Sequence, residues 1–247
     1  MFEIYRDSET IIPQIESWIK NRLLSANAKG AVLGLSGGVD SAVLAALLKN
    51  VCGKENVIGV IMPCHSHVED EEHARLLATA LDISVMRVDL TDTYDTLCKG
   101  ISKAVGTLPS ISSINIKPRL RMTTLYALAQ SKGYLVCGAS NKNELSYGYF
   151  TKHGDSGVDI LPMGNLLKGE VRLLAEYLGV PDEIIKKAPS AGLFSGQTDE
   201  EEMGMTYDEM DRFLVGQSVS ATVDEKMRKK EAASQHKRVF PPIGEIR

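Results

Sequence analysis

Little in this sequence suits a disulfide scaffold, a membrane span or a nucleic-acid surface. Its four cysteines, Cys52, Cys64, Cys98 and Cys137, form no C-x-x-C pair. That pattern reads as free thiols, buried or half-buried, in a reducing compartment. Cys64 with His65 and His67 comes nearest to a metal cluster, but a lone C-H-x-H lacks zinc spacing and reads as a loop. No apolar run nears the roughly 20 residues of a membrane span. The first twenty residues carry Glu3, Asp7 and Glu9 and no signal-like apolar core, so a cytoplasmic chain without a membrane partner is expected. Positive charge is not in excess either: 28 Lys and Arg face 32 Asp and Glu, a net −4 that attracts no nucleic acid over the whole surface. What remains is 43% hydrophobic and 24% charged, the balance of a soluble globular protein. With no internal repeat or clear linker, 1–247 is expected to form one domain.

Apolar residues Ile15, Trp18, Ile19 and Leu23 give 11–24 a helical spacing. A short apolar run at 31–35 is followed by a Ser-Gly-Gly turn and an apolar helix over 41–51. Segments 56–63, 83–90 and 134–140 read as further strands, with helices over 70–81, 91–105 and 119–131. The Ser-rich stretch 107–115 reads as a loop. Strand thus alternates with helix four times, and the strands are near-continuous apolar runs. This predicts an α/β fold, a doubly wound parallel sheet with helices on both faces. Beyond residue 140 Gly-rich loops dominate. A helix over 165–178 is ended by Gly179 and Pro181, and a charged helix over 219–236 forms a helical C-terminal extension.

The chemistry is carried by Gly34-Leu35-Ser36-Gly37-Gly38-Val39-Asp40-Ser41, between the first strand and an apolar helix. In open parallel sheets ligands bind beyond the carboxyl ends of the strands. Gly37 and Gly38 let the backbone turn tightly against a ligand. The following helix offers unpaired N–H groups and a partial positive charge to a phosphate. Ser36 and Ser41 add hydroxyls, and Asp40 suits a cation that bridges phosphates. There is no G-x-x-x-x-G-K-[ST] and no G-x-G-x-x-G fingerprint here. The loop instead resembles the pyrophosphate loop of the N-type ATP-pyrophosphatases, which cleave ATP between the α and β phosphates.

NIKPRLRMTTLYALA, GASNKNELSYGYFTKHGDSGVDILP, LLKGEV, KKAPSAGL, GQTDEEEMGMTYDEMD and HKR together resemble the ammonia-dependent NAD synthetases over nearly the whole chain. The resemblance implies an adenine nucleotide alpha hydrolase-like fold. It also implies ATP- and Mg²⁺-dependent amidation of nicotinic acid adenine dinucleotide (deamido-NAD) by ammonia, through an acyl-adenylate, giving NAD, AMP and pyrophosphate as the last step of NAD biosynthesis. Glu144 would join Asp40 on Mg²⁺, although a helix N-terminal acid is its plain alternative. Lys168 and Ser190 match positions that hold ATP phosphates. Ala139 stands where the family has an ATP-contacting Thr, with Ser140 adjacent. Arg119, Lys152, Asp159, His236 and Lys237 match positions that contact the dinucleotide. Tyr149 and Phe150 offer a flat face for a pyridine ring or ordinary core packing. Asp155, in KHGDSG, would hold ammonium and accept its proton, or else cap a turn. Pro118 suits a first helical turn. Loops 106–115 and 194–207 are candidate lids over the intermediate. The family also implies a homodimer. The synthetase-like blocks leave no room for a glutaminase, so free ammonia is the expected nitrogen donor.

Two other readings compete. Another ATP-pyrophosphatase, such as a GMP synthetase core or a tRNA-modifying ligase, would share the loop. The tRNA enzymes would be expected to add a basic RNA-binding module. A nucleotide-binding regulatory protein would keep the pocket without turnover, and would have less need of both Asp40 and Glu144.

Overall fold

Four apolar strand segments set the frame of this computed structural model, which describes residues 4–188 and 198–244. Strands β1 (Ala31–Gly34), β2 (Val57–Ile61), β3 (Ser84–Arg87) and β4 (Leu135–Val136) pair in parallel in the order β3-β2-β1-β4. The chain builds outward from β1 to β3 and then returns to the other side of β1. The crevice beyond β1 and β4 is therefore the topological switch point, where such sheets bind ligands.

Successive strand residues face opposite sides, and two cores result. Leu33 and Ile61 join Ile19 of α1 (Ser8–Ser25), Leu44 of α2 (Val39–Cys52) and Leu77 of α3 (Val68–Leu81) on one face. Val32, Ile58 and Val60 face the other way. There they pack with Leu125 and Ala129 of α6 (Ile116–Lys132), and the half-buried Tyr94 of α4 (Thr91–Val105) lies against them. Helices cover both faces, as the uninterrupted apolar strands predict. Full burial of one such leucine contributes about 1.5–3 kcal/mol.

Two local expectations change. The Ser-rich stretch 107–115 holds a short helix, α5 (Ser110–Ile114), because Ile114 is buried and anchors it. Strand β4 pairs over two residues only. Cys137 leaves the ladder for a parallel bridge to Ile160, and Gly138 N–H donates to the Ile160 carbonyl. The remaining helices are α7 (Lys142–Tyr147), α8 (Lys168–Tyr177), α9 (Asp182–Ile185), α10 (Asp199–Met203), α11 (Tyr207–Leu214) and α12 (Ala221–Ser234). Leu174 of α8 belongs to the α2 face. Tyr147, Met203, Tyr207, Met210 and Met227 form a third, smaller core. This is the predicted C-terminal extension, tied to the sheet through α7 and α8. Pro118 lies in the first turn of α6, where its missing N–H breaks no helical bond. No described helix is long and apolar enough to cross a membrane.

Candidate active site

The loop after β1 is shaped by glycine. Gly37 sits at φ +75°, and a Cβ there would overlap the carbonyl oxygen of Asp70 in the first turn of α3. Gly38 is the N-cap of α2 and makes no side-chain cap, so the first N–H groups of that helix are left for a ligand. Ser36 and Ser41 approach oxygen to oxygen at 3.1 Å, and Ser41 Oγ donates to the Gly38 carbonyl at 2.9 Å, bracing the turn.

Asp40, at the start of α2, meets Glu144 through Asn141. The fully buried Asn141 amide donates to Asp40 Oδ1 and to Glu144 Oε1, both at 2.9 Å. Asn141 also caps α7: its Oδ1 accepts from Glu144 N–H, while Glu144 Oε2 accepts from Asn141 N–H. The helix N-terminal reading of Glu144 therefore holds, since it completes the capping box, and the same side chain faces Asp40 across the Asn141 amide. Asn141 was not singled out in the sequence, though N-x-x-E directly after a strand is a capping-box signal.

Lys168 is the first residue of α8 and is fully buried. Its ammonium donates to Asp40 Oδ2 at 2.5 Å, lies 4.0 Å from Glu144 Oε1, and sits 4.9 Å from the centre of the Tyr207 ring. Burial lowers its pKa, but Asp40 and then Glu144 more than offset that and hold it above the ordinary lysine value. Glu144 keeps 17% of its side-chain exposure, toward the cleft, while protein surrounds its other sides. Burial, then the charge of Asp40, push it up to about 8 against the pull of Lys168. Two carboxylates converging on one amide fit a hard divalent cation. Mg²⁺ commonly takes one or two carboxylates and fills its shell with phosphate oxygens and water. No described group of three or more His, Cys, Asp or Glu is placed to hold a metal ion.

The raised Glu144 value sets a pH dependence. The folded chain holds this proton more tightly than the unfolded chain, whose value is near 4.5. The contribution to stability is full below about 4.5 and is lost as pH rises toward about 8. Metal-free protein is expected to lose melting temperature across that interval. The rise in melting temperature on adding Mg²⁺ should grow over the same range, as fewer protons are displaced. Calorimetry with and without Mg²⁺ checks this, and a Mg²⁺ shift independent of pH would count against the metal assignment.

Asp211, 68 residues away in sequence from its α7 partner Asn143, holds Lys168 in place. It accepts from the Asn143 amide at 2.6 Å, from Lys168 N–H at 3.3 Å, from Gly169 N–H at 3.0 Å and from the Tyr5 hydroxyl at 2.9 Å. Asn143 Oδ1 also accepts from Lys168 N–H at 3.0 Å. Nothing in the sequence pairs these residues. Asp211→Ala would leave several buried donors unmatched and is expected to lower stability by about 3 kcal/mol. Denaturant titration measures it, and a loss below about 1 kcal/mol would remove Asp211 from this role.

The residues matched to the acceptor form a rim around segment 148–160. Arg119 Nε donates to the Lys152 carbonyl at 3.3 Å, and Lys152 Nζ donates to the His236 carbonyl at 2.6 Å. Lys237 Nζ donates to the Gly148 and Phe150 carbonyls. The structure thus brings Arg119, Lys152, His236 and Lys237 together. Asp159 has both oxygens engaged, by Val136 N–H at 2.8 Å and the Tyr126 hydroxyl at 3.0 Å. Burial, then Asp159, push Tyr126 up to about 12. Asp155 accepts from Thr151 N–H at 2.8 Å, so its turn-capping reading holds. Asp155 is exposed, yet the surrounding protein raises its pKa, against the Thr151 bond and the charges of Lys237 and Arg121. Phe150 is buried, and the Tyr149 hydroxyl is committed to Asp199 and Glu202, so both pack as core residues.

Ala139 is half-buried just after β4. Ser190 and 194–197 of the second candidate lid lie outside the described residues. Thr198 opens α10 with a capping box to Glu201. His65 pairs with Asp95 at 2.8 Å and packs edge-on to Tyr94, as a surface loop residue.

Comparison with known proteins agrees with this geometry. The NAD synthase family model matches residues 11–241. The NH3-dependent NAD⁺ synthetase of Carboxydothermus hydrogenoformans is 48% identical over 231 residues, covering 93% of this chain and 95% of that protein. Among solved structures, NMN synthetase from Francisella tularensis superposes with a TM-score of 0.92 at 37% identity, covering 98% of this chain and 100% of that one. The NH3-dependent NAD synthetase of Campylobacter jejuni gives 0.79 at 29% identity, covering 97% and 100%.

Proposed function

The chain belongs to the NAD synthase family and is a ligase, and from that premise we propose that it amidates the carboxylate of deamido-NAD with free ammonia. The observation that carries this reading is the Asp40–Asn141–Glu144–Lys168 cluster facing the N-terminus of α2. ATP lies with its terminal phosphates on 34–41, and Lys168 moves from the carboxylates to those phosphates. Mg²⁺ held by Asp40 and Glu144 would neutralise the leaving pyrophosphate. A carboxylate oxygen of the acceptor attacks the α-phosphorus, and the bond to the β-phosphate oxygen breaks. Ammonia then attacks the acyl carbon, AMP leaves, and Asp155 takes the proton released. Arg119, Lys152, His236 and Lys237 hold the acceptor's phosphates, and Ser190 and the backbone at Ala139 hold ATP. Asp159 acts by fixing the segment next to them. The site is completed by a second copy of the chain in a homodimer.

A second reading is favoured by the superposition of 0.92 on an NMN synthetase, against 0.79 on an NAD synthetase. The acceptor would then be nicotinic acid mononucleotide, with the same chemistry and no second nucleotide half. An omission assay tests both readings. ATP, Mg²⁺, ammonium and either acceptor are supplied, and each component is left out in turn. Equal NAD, AMP and pyrophosphate from the dinucleotide support the first reading, and faster NMN formation supports the second. AMP formed with neither acceptor but with another, such as xanthosine monophosphate, keeps the ATP chemistry alone. If no acceptor yields AMP, the chain reads as a regulatory nucleotide binder.

A further inference from the structure

Two cations on α6 that are drawn out of bulk water, Lys117 and Arg121, have no carboxylate partner among the described residues. Lys117 is 8% exposed. Its ammonium lies 5.5 Å from the centre of the Tyr94 ring, and no described residue offers it a hydrogen bond or an ion pair. No fully enclosed side-chain nitrogen among the described residues lacks a partner, so this ammonium keeps some contact with solvent. One turn on, Arg121 donates from Nε to the Met62 carbonyl at 3.2 Å and from Nη2 to Ser66 Oγ at 3.3 Å. Both acceptors are neutral, and they use two of the five guanidinium donors. Burial pushes Arg121 below the ordinary arginine value.

This arrangement is unfavourable three times over. Like charges stand four residues apart on one helix, both are drawn out of bulk water, and neither has a counter-charge among the described residues. An oxyanion between them reverses all three effects. The surroundings say which oxyanion. Asp70 and Asp155 are the carboxylates that influence Arg121 across the cleft, neither within ion-pair reach. Asp70 is the residue whose carbonyl closes on Gly37 of the phosphate turn, and Asp155 belongs to the acceptor segment. Arg121 therefore stands between the pyrophosphate end and the acyl end of the site. In an adenylating reaction the group between those ends is the α-phosphoryl.

We propose that Lys117 and Arg121 form the binding site for the α-phosphoryl group, holding it in ATP and in the acyl-adenylate. The identity of the anion rests on the ATP-cleaving reading above. Arg121 supplies a planar fork to two phosphoryl oxygens and Lys117 a point charge, so the charge on phosphorus is balanced in both half-reactions.

Equilibrium titration of the full chain with AMP and with adenosine tests this. Wild type is expected to bind AMP at least about tenfold tighter than adenosine, since a charge-assisted fork is worth about that much or more. Arg121→Met and Lys117→Met, which keep most of the packing volume, should each lose roughly tenfold or more for AMP and less than about twofold for adenosine. AMP binding no tighter than adenosine in wild type overturns the proposal, as does an equal loss of both ligands in the variants. If a methionine variant does not fold, Arg121→Lys replaces it, with a several-fold loss expected for AMP alone and equal loss of both ligands again overturning. The readout needs neither acceptor nor turnover. A chain that binds AMP through these cations yet amidates nothing keeps this site and loses the function above. A chain that amidates while its variants bind AMP unchanged does the opposite.

Discussion

Lys168→Met is expected to lower kcat by roughly 10²- to 10³-fold, the scale seen when one preorganised charge-stabilising donor is removed. The lysine is fully buried and is the only cation paired with Asp40 and Glu144 among the described residues. Methionine fills much the same volume, so the loss is electrostatic. Two carboxylates would then face each other across the Asn141 amide with no positive charge between them. Breaking such a pair lowers stability by about 3–5 kcal/mol when burial is complete, and the low end applies because one side opens on the cleft. A divalent cation can replace the missing charge on the carboxylates but does not supply the separate ammonium that Lys168 would bring to the phosphates. Mg²⁺ is therefore expected to raise the variant's melting temperature more than the wild type's while turnover stays low. Steady-state kinetics and calorimetry at several Mg²⁺ concentrations measure both, and activity within about tenfold of wild type would sink the role given to Lys168.

Gly37→Ala is expected to weaken ATP binding by roughly a hundredfold. The φ of +75° disfavours an L-residue by about 1–2 kcal/mol by itself. The added methyl also meets the Asp70 carbonyl, which belongs to the first turn of a packed helix and cannot step aside cheaply. The loop must open, and the N–H groups of α2 no longer converge on one phosphate. Gly38→Ala serves as the stability control, because φ there is −100° and a Cβ lies 3.4 Å from Ser36 Oγ. It should fold with wild-type stability. Titration calorimetry with ATP separates the two, and Gly37→Ala binding ATP within threefold of wild type would refute the close-approach argument.

The strands and the turn after β1 were legible because each is written in a short window, whereas the pairing of Glu144 with Asp40 came from the family resemblance. Ala31–Gly34 and Val57–Ile61 are apolar at every or nearly every position, which signals a sheet covered on both faces. Ser36 to Ser41 carries its chemistry in adjacent residues, and Asn141 to Glu144 spells a cap. The misjudged segments are those where a distant contact outweighs local preference. Stretch 107–115 is rich in turn-forming serine, yet burial of Ile114 holds a helical turn there. Strand β4 looks seven residues long, but Ile160 captures Cys137 and draws the chain off the ladder.

By itself, then, the sequence determined the fold class and the tight Gly-Gly turn after β1, since local periodicity and backbone conformation depend on neighbours a few positions away. Only the tertiary structure decided that Lys168 neutralises Asp40 across 128 positions, that Asp211 and Asn143 fix the lysine, and that Lys117 and Arg121 stand without carboxylate partners among the described residues. These are electrostatic facts. A charge's partner and its solvation are set by distances in space, which no spacing along the chain encodes.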